Sequence, residues 1–180
     1  MGGFLGATEL AALVTGSVVT GDIADGAVTT AKILDDNVTA PKLDEATIQY
    51  AEVEITTGEI LALFTTPKEL VAAPAAGNVL EFVSLLLAYD FNSAAYTIGG
   101  ATNLQVKYTD AAGVAVSTTE AVTGFLDGVA DDLRSLDKLE ASVTPADAAP
   151  LVLTLAGADP TVGDSPLHAK VAYRVHATGL

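Results

Sequence analysis

The sequence contains no cysteine and no tryptophan among its 180 residues. The absence of cysteine excludes disulfide bonds, thiolate catalysis and thiolate metal sites. Aromatic residues are also scarce, with five phenylalanines and five tyrosines. Apolar burial must therefore come mainly from valine, leucine, isoleucine and alanine, a mixture that favours strands over an aromatic-rich binding pocket.

Basic residues are few as well, because 8 lysines and arginines stand against 23 acidic residues and give a formal net charge of −15 at pH 7. A surface of this charge repels phosphate backbones and anionic lipids. We therefore expect no nucleic-acid partner and no membrane partner. The apolar run from Val83 to Ala88 contains Ser84 and is far shorter than the roughly 20 residues that span a bilayer. Glu9 interrupts the first apolar stretch, so no secretion signal is predicted and we expect a soluble protein made inside the cell.

Residues that carry chemistry are equally scarce. His168 and His176 are the two histidines, and on one extended strand they would lie roughly 26 Å apart, too far to share a metal ion. The acidic pairs Asp35-Asp36 and Asp131-Asp132 could bind calcium through oxygen atoms, but neither has an EF-hand spacing. As solvated turn residues they need no ion, and this is the interpretation we favour. We predict no enzyme, no cofactor and no metal site, and leave calcium open.

An internal repeat of ten residues occupies much of the first fifty residues. Gly16–Ile23 aligns with Gly26–Ile33 and with Asp36–Leu43. Within this repeat, large aliphatic side chains recur every five residues, at Leu13, Val18, Ile23, Val28, Ile33, Val38, Leu43 and Ile48. A spacing of five fits neither an α-helix nor a plain strand. The glycine, aspartate, asparagine and proline residues between them favour short extended pieces separated by bends.

Such a ribbon cannot form a core by itself, because ordering its backbone costs more free energy than burying the aliphatic side chains returns. Further copies of the chain can supply the missing contacts. We therefore predict a homotrimeric stalk over residues 15–49, with the eight regularly spaced aliphatic residues on the trimer axis. The alternative is a flexible linker with coincidental spacing.

From Tyr50 onward the apolar period changes to two, which is typical of strands. The clearest alternation runs from Leu167 to Ala177, where apolar and polar side chains take opposite faces. The run Val79–Ala88 is apolar on both faces, which indicates a central strand or one covered by a neighbouring subunit. Glycine and proline residues separate these runs, a pattern typical of a β-sandwich or a barrel. Of the two, we predict a jelly-roll-like antiparallel β-sandwich over residues 50–180. Helical spacing also predicts a short helix within residues 124–136, at Leu126, Val129, Leu133 and Leu136. Because Gly128 weakens such a helix, a loop is the alternative.

Residues 21–43, with the sequence GDIADGAVTTAKILDDNVTAPKL, resemble the DGAVTTAKI repeats of bacteriophage fibre proteins. Residues 63–82 and the Tyr173-Arg-Val ending are similar to small phage virion proteins with a trimeric β-sandwich, which include head fibres and capsid decoration, or cement, proteins. The resemblance implies a homotrimer that is assembled in the host cytoplasm and located on the capsid surface of the virion, with the major capsid protein as its partner. It does not distinguish head fibres from tail fibres.

The resemblance also suggests a role for each part of the chain. Residues 1–14 form an N-terminal arm that is expected to bind the capsid, although a frayed terminus is the alternative; its apolar anchors are Phe4, Leu5 and Leu10. A second interpretation is a short tail fibre or receptor-binding module that contacts a host glycan or protein. Its outward loop would use Tyr89, Phe91, Asn92 and Tyr96. A carbohydrate-degrading enzyme, which needs two carboxylates in one cleft, is a third interpretation that the small size and missing tryptophan disfavour.

Overall fold

Eight β-strands and one short helix form residues 47–178, the part of the chain that the structure, a computed structural model, describes. The elements are β1 (Gln49–Ile55), α1 (Thr57–Ile60), β2 (Lys68–Val71), β3 (Asn78–Tyr89), β4 (Asn103–Tyr108), β5 (Ala115–Ala121), β6 (Asp132–Asp137), β7 (Leu151–Leu155) and β8 (Leu167–Ala177). The chain divides into two units, Met1–Leu43 and Asp44–Leu180, and the described residues belong to the second. No helix within residues 47–178 is long and apolar enough to cross a membrane.

The strands form two four-stranded sheets, one in the order β1-β8-β3-β6 and the other in the order β2-β7-β4-β5. Every pairing between neighbouring strands is antiparallel. The predicted all-β class with antiparallel sheets is confirmed. The first sheet is called sheet A below and the second sheet B.

The inner faces of the two sheets share one hydrophobic core. Leu85 and Leu87 of β3 and Leu104 and Val106 of β4 are all completely buried in it. The hydroxyl group of Tyr108 donates a hydrogen bond to the carbonyl of Leu80, which ties β4 to β3 across the sandwich. Antiparallel strands alternate between core and solvent. The residues next to these four in each strand therefore lie on the outer faces of the sandwich.

The central position predicted for the run Val79–Ala88 is confirmed, because β3 lies between β8 and β6 in sheet A. The alternation predicted near the C-terminal end is confirmed over the first part of β8. There, Leu167, Ala169 and Val171 are buried while His168 and Lys170 are exposed.

The predicted helix within residues 124–136 is wrong. Residues 123–127 form turns, and the chain then enters β6 at Asp132. Leu133 pairs with Ala88 and Leu136 pairs with Leu85 across the β3–β6 ladder. Pairing with a strand more than forty residues away along the chain therefore overrides the local helical spacing, as tertiary contacts often do.

Helix α1 is a single turn at Thr57–Ile60, outside the range in which a helix was predicted. Thr56 and Glu59 form a capping box around its first turn, in which each side chain satisfies a backbone N–H group of the other residue. Glu59 also accepts a hydrogen bond at 2.5 Å from Lys68, the first residue of β2. The turn is thereby fastened to the sandwich.

The strand register defines two ends of the sandwich. Ile55 and Tyr89 both pair with Leu167, so the loops 56–67, 90–102, 122–131 and 156–166 lie together at one end, called here the loop end. The opposite end, called the base, contains the start of β1, the end of β8 and the loops 72–77, 109–114 and 138–150. The first strand, β1, therefore begins at the base.

Candidate interaction surface

The four residues predicted to contact a host molecule lie at the loop end, but only some of them are exposed. Asn92 is exposed and Phe91 is half-buried. In contrast, Tyr89 is only 1% exposed and Tyr96 only 2% exposed. The prediction that these two tyrosines face outward is therefore wrong, because both belong to the core.

The two tyrosines are buried because loop 90–102 folds over the end of the sandwich. The ring of Tyr89 lies 5.8 Å from that of Phe125 and 6.4 Å from that of Tyr96, measured between ring centroids. Its hydroxyl group donates to the carbonyl of Leu126 at 3.2 Å, and that of Tyr96 donates to the carbonyl of Ser165 at 2.6 Å. Burial raises the pKa of Tyr96 to about 12. Both hydroxyl groups are satisfied inside the protein, so neither is available to a ligand.

Asp164 joins two loops of the loop end. Its carboxylate accepts hydrogen bonds from the backbone N–H groups of Ser93 at 3.1 Å and Ala94 at 2.8 Å. The hydroxyl group of Ser93 and the side-chain amide of Asn92 donate to the same carboxylate. The hydrogen bonds from Ser93 and Ala94, led by that from the Ser93 hydroxyl group, lower the pKa of Asp164 to about 2. The exposed Asn92 is thus held in one orientation by a charged group from loop 156–166.

Val162 is an exposed residue of the same loop in an unusual backbone conformation. Its φ angle is +56° and its side chain is 65% exposed, although β-branched residues rarely adopt a positive φ. The flanking Thr161 exchanges two backbone hydrogen bonds with Thr97, at 2.8 and 2.9 Å. The loop is thus held at the residue before Val162 and presents an apolar side chain to solvent.

Acidic residues dominate the four loops of the loop end. These loops contain no lysine or arginine, and their carboxylates are Glu59, Asp90, Asp127, Asp131, Asp159 and Asp164. Several of them satisfy loop backbone groups. Asp131 accepts from the N–H group of Phe91 at 2.9 Å, and Asp159 accepts from that of Phe64 at 2.7 Å. The loop end is therefore negatively charged and internally hydrogen-bonded.

The candidate calcium pair Asp131-Asp132 has two separate sets of partners. Asp131 bonds to loop 90–102, whereas Asp132 accepts a hydrogen bond from Arg134 at 2.8 Å. That hydrogen bond is the main reason why the pKa of Asp132 is lowered. Within residues 47–178, no group of three or more histidine, aspartate or glutamate side chains is placed to hold a metal ion.

The two histidines lie near opposite ends of β8. Nε2 of His168 is 3.8 Å from Oδ2 of Asp90 at the loop end. Nε2 of His176 is 2.9 Å from Oε2 of Glu81 near the base. Glu81 also binds Arg174 at 3.1 Å, and these contacts, led by that with His176, lower the pKa of Glu81. Each histidine thus has its own acidic neighbour.

Most residues predicted for the stalk and the arm lie outside the described residues. These are Phe4, Leu5, Leu10, Leu13, Val18, Ile23, Val28, Ile33, Val38 and Leu43, together with the acidic pair Asp35-Asp36. Ile48 is the predicted axis residue that the structure describes. It lies immediately before β1 and its side chain is 37% exposed.

These features define the architecture of the described residues. It is an all-β sandwich with four loops at one end. No protein-family model and no curated protein matches the sequence. The fold is similar to that of a chain in the capsid asymmetric unit of cyanophage Pam1, with a TM-score of 0.41 and 11% sequence identity. The alignment covers 71% of this chain and 83% of that chain.

Proposed function

We propose that the protein is a structural component of a bacteriophage particle. In this proposal it is a homotrimer that binds the exterior of the capsid as a head decoration or head fibre and stabilises it. Residues 1–14 contact the major capsid protein, residues 15–49 form the trimeric stalk, and the sandwich projects outward. The fibre-type repeat in residues 21–43 supports the assignment to phage fibres as a class.

The positions of the strand ends in the sandwich are the observation that supports this arrangement. β1 begins at the base, whereas the loops 56–67, 90–102, 122–131 and 156–166 lie at the loop end. In this proposal the stalk is continuous with the base, because β1 begins there, and the four loops lie at the other end of the sandwich.

The strand order supports the finer part of the fold prediction. Eight strands in the orders β1-β8-β3-β6 and β2-β7-β4-β5 have the connections expected of a jelly roll, which occurs in viral capsid domains and in lectins. The net charge of −15 also suits a subunit made in many copies, because like charges keep it soluble before assembly.

The tail-fibre alternative retains less support at the loop end. A glycan-binding surface usually uses exposed aromatic rings, and the burial of Tyr89 and Tyr96 leaves only Phe91 and Asn92 of the four predicted contacts. The loop end would then have to bind a host molecule mainly through carboxylates and small apolar side chains.

Binding to capsids assembled without this protein tests the proposal. The full chain should co-sediment with such capsids, whereas a variant that lacks residues 1–14 should remain trimeric and fail to bind. As a matched control, Val162→Ser changes an exposed apolar residue at the loop end and should leave binding unchanged. Equal binding of the shortened and full chains would show that residues 1–14 are not the anchor. Loss of host-cell binding in Asn92→Ala, with no capsid binding by any form, would instead favour the tail-fibre alternative.

A further inference from the structure

The outer face of sheet A contains exposed apolar residues where an antiparallel sheet is normally polar. Leu86 of β3 is 40% exposed and Leu133 of β6 is 58% exposed. Ala88, which pairs with Leu133, lies between them in the register. Tyr50 of β1, 63% exposed, lies on the same face because its ring contacts the outward-pointing Lys170.

The outer face of sheet B is different. Gln105 of β4 and Thr119 of β5 are paired on this face and are polar, whereas Val152 and Thr154 of β7, on the same face, are buried. The other large apolar residues exposed within residues 47–178 lie outside the strands, at Ile48, Phe64, Val114, Val129 and Val162. Sheet A therefore has the one outer face of the described sandwich on which large apolar side chains are exposed.

The outer face of sheet A carries basic as well as acidic side chains, in contrast to the loops of the loop end, which contain no lysine or arginine. Glu52 and Glu54 on β1 lie beside Lys170 and His168 on β8, and Nζ of Lys170 is 2.7 Å from Oε1 of Glu52. These four side chains, with Leu86 and Ala88, line a shallow cavity of about 320 Å³. Two copies of a chain with a charge of −15 would repel each other least at such a face.

The position of Ile48 connects this face with the predicted trimer axis. Ile48 directly precedes β1 and stands two residues before Tyr50, and side chains two apart on an extended backbone lie on the same side. Ile48 is the last of the aliphatic residues spaced at five. If Ile48 faces the axis, the outer face of sheet A faces it too.

We propose that the outer face of sheet A is the surface through which the sandwiches of neighbouring copies contact each other. This inference rests on the proposed homotrimer and identifies the part of the sandwich that faces the axis. In the assembled protein, Leu86 and Leu133 are covered by another copy, and the pair formed by Lys170 and Glu52 lies beside them. The outer face of sheet B remains in solvent.

The absence of cysteine allows a direct test with single cysteines. Ser135→Cys places a thiol beside Leu133 on β6, and Thr119→Cys places one on the outer face of sheet B; both native residues are exposed. The full-length variants would be treated with a bulky maleimide at a concentration where sedimentation shows a trimer. The thiol of Ser135→Cys should react at least about tenfold more slowly, because it reacts only after the copies separate. Both thiols should react equally fast in denaturant.

A charge on this face provides the second measurement. Leu133→Glu should shift the trimer toward monomer in sedimentation and should restore fast labelling when combined with Ser135→Cys. Val114→Glu is the matched control, since Val114 is 43% exposed in a loop of the base, and it should change neither. Both variants should keep the wild-type circular dichroism spectrum.

The outcomes separate this inference from the proposed function. A stable trimer in which both thiols react equally fast would overturn the inference and leave the proposed trimer intact. A folded monomer at micromolar concentration would overturn both. Protection of Ser135→Cys that appears only on capsids would show that the face binds the capsid protein, which also overturns the inference.

Discussion

Gly163 lies directly against the ring of Tyr96. A Cβ atom at Gly163 would be 2.4 Å from Cδ1 and 2.6 Å from Cγ of that ring, closer than two carbon atoms can approach. The φ angle of Gly163 is +104°, which side-chain-bearing residues rarely adopt. Loop 156–166 can therefore cross the buried tyrosine only because this position has no side chain.

Replacing Gly163 with alanine should destabilise the sandwich by about 2–5 kcal/mol, because a strained backbone and a steric clash act together. Gly77→Ala is the matched control. Gly77 also has a positive φ, +82°, but a Cβ atom there would meet nothing within 4 Å, so about 1–2 kcal/mol is expected from the backbone alone. Urea denaturation of both variants measures the difference. Equal losses would show that Tyr96 does not restrict the loop.

Tyr96→Phe should lower the free energy of unfolding by about 1–3 kcal/mol, because it leaves a buried carbonyl group without its hydrogen bond. That carbonyl belongs to Ser165, which is completely buried. Thr119→Val removes a hydroxyl group from an exposed residue on the outer face of sheet B and should change the stability by less than about 0.5 kcal/mol. Chemical denaturation monitored by tyrosine fluorescence or circular dichroism distinguishes the two. A Tyr96→Phe variant as stable as wild type would contradict the hydrogen bond.

Asp164 should make the stability of the loop end depend on pH. Its pKa is lowered from 3.8 to about 2 in the folded protein, so the ionised form is favoured by folding. The resulting stabilisation is complete above the unfolded pKa and is lost as the pH falls from about 4 toward 2. Thermal melting between pH 2 and pH 6 should show a lower midpoint for Asp164→Asn than for wild type at pH 6. The two midpoints should converge near pH 2.

Glu69→Gln is the control for this pH series, because it also removes one negative charge and Glu69 is an exposed residue of β2 in sheet B. It should change the midpoint little at any pH. A constant difference between wild type and Asp164→Asn across the whole range would mean that the carboxylate is not preferentially ionised in the folded protein.

The proposed stalk leads to a contrast between Ile33 and Asp35. Ile33→Asp would place three like charges in an apolar seam and should cost several kcal/mol per trimer. Asp35→Ala should change the stability by no more than about 0.5 kcal/mol, as is usual for surface substitutions. Thermal melting of the wild type and both variants provides the measurement. Three equal midpoints would favour a flexible linker over a stalk.

The strands that could be predicted from the sequence are those whose apolar pattern follows the burial of each position. In the first part of β8 one face meets the core and the other meets solvent, so Leu167, Ala169 and Val171 alternate with polar residues. β3 was recognisable as central because its apolar side chains continue on both faces. Such patterns are local, and each position reports directly on its own burial.

The loop end could not be predicted in the same way, because its structure depends on residues far apart in the sequence. Asn92, Ser93 and the two glycines after Ile98 look like a solvent-facing loop, which is why Tyr96 was expected outside. The group that holds this segment down, Asp164, is 71 residues from Ser93. The one feature of the sequence that could mark Asp164 is the glycine beside it. Glycine next to aspartate is also common in ordinary turns, so it does not reveal this role.

The ends of the sandwich strands also determine how the protein could be engineered as a display scaffold. β1 starts at the base and β8 finishes there, where the N–H group of Thr178 donates to the carbonyl of Gly77 at 3.0 Å. A reporter fused behind β8 would therefore emerge beside the chain that leads into β1. A cargo meant for the opposite side must be inserted into a loop. Residues 128–130 are suitable, because Val129 is 76% exposed and an insertion there leaves both sheet ladders unbroken.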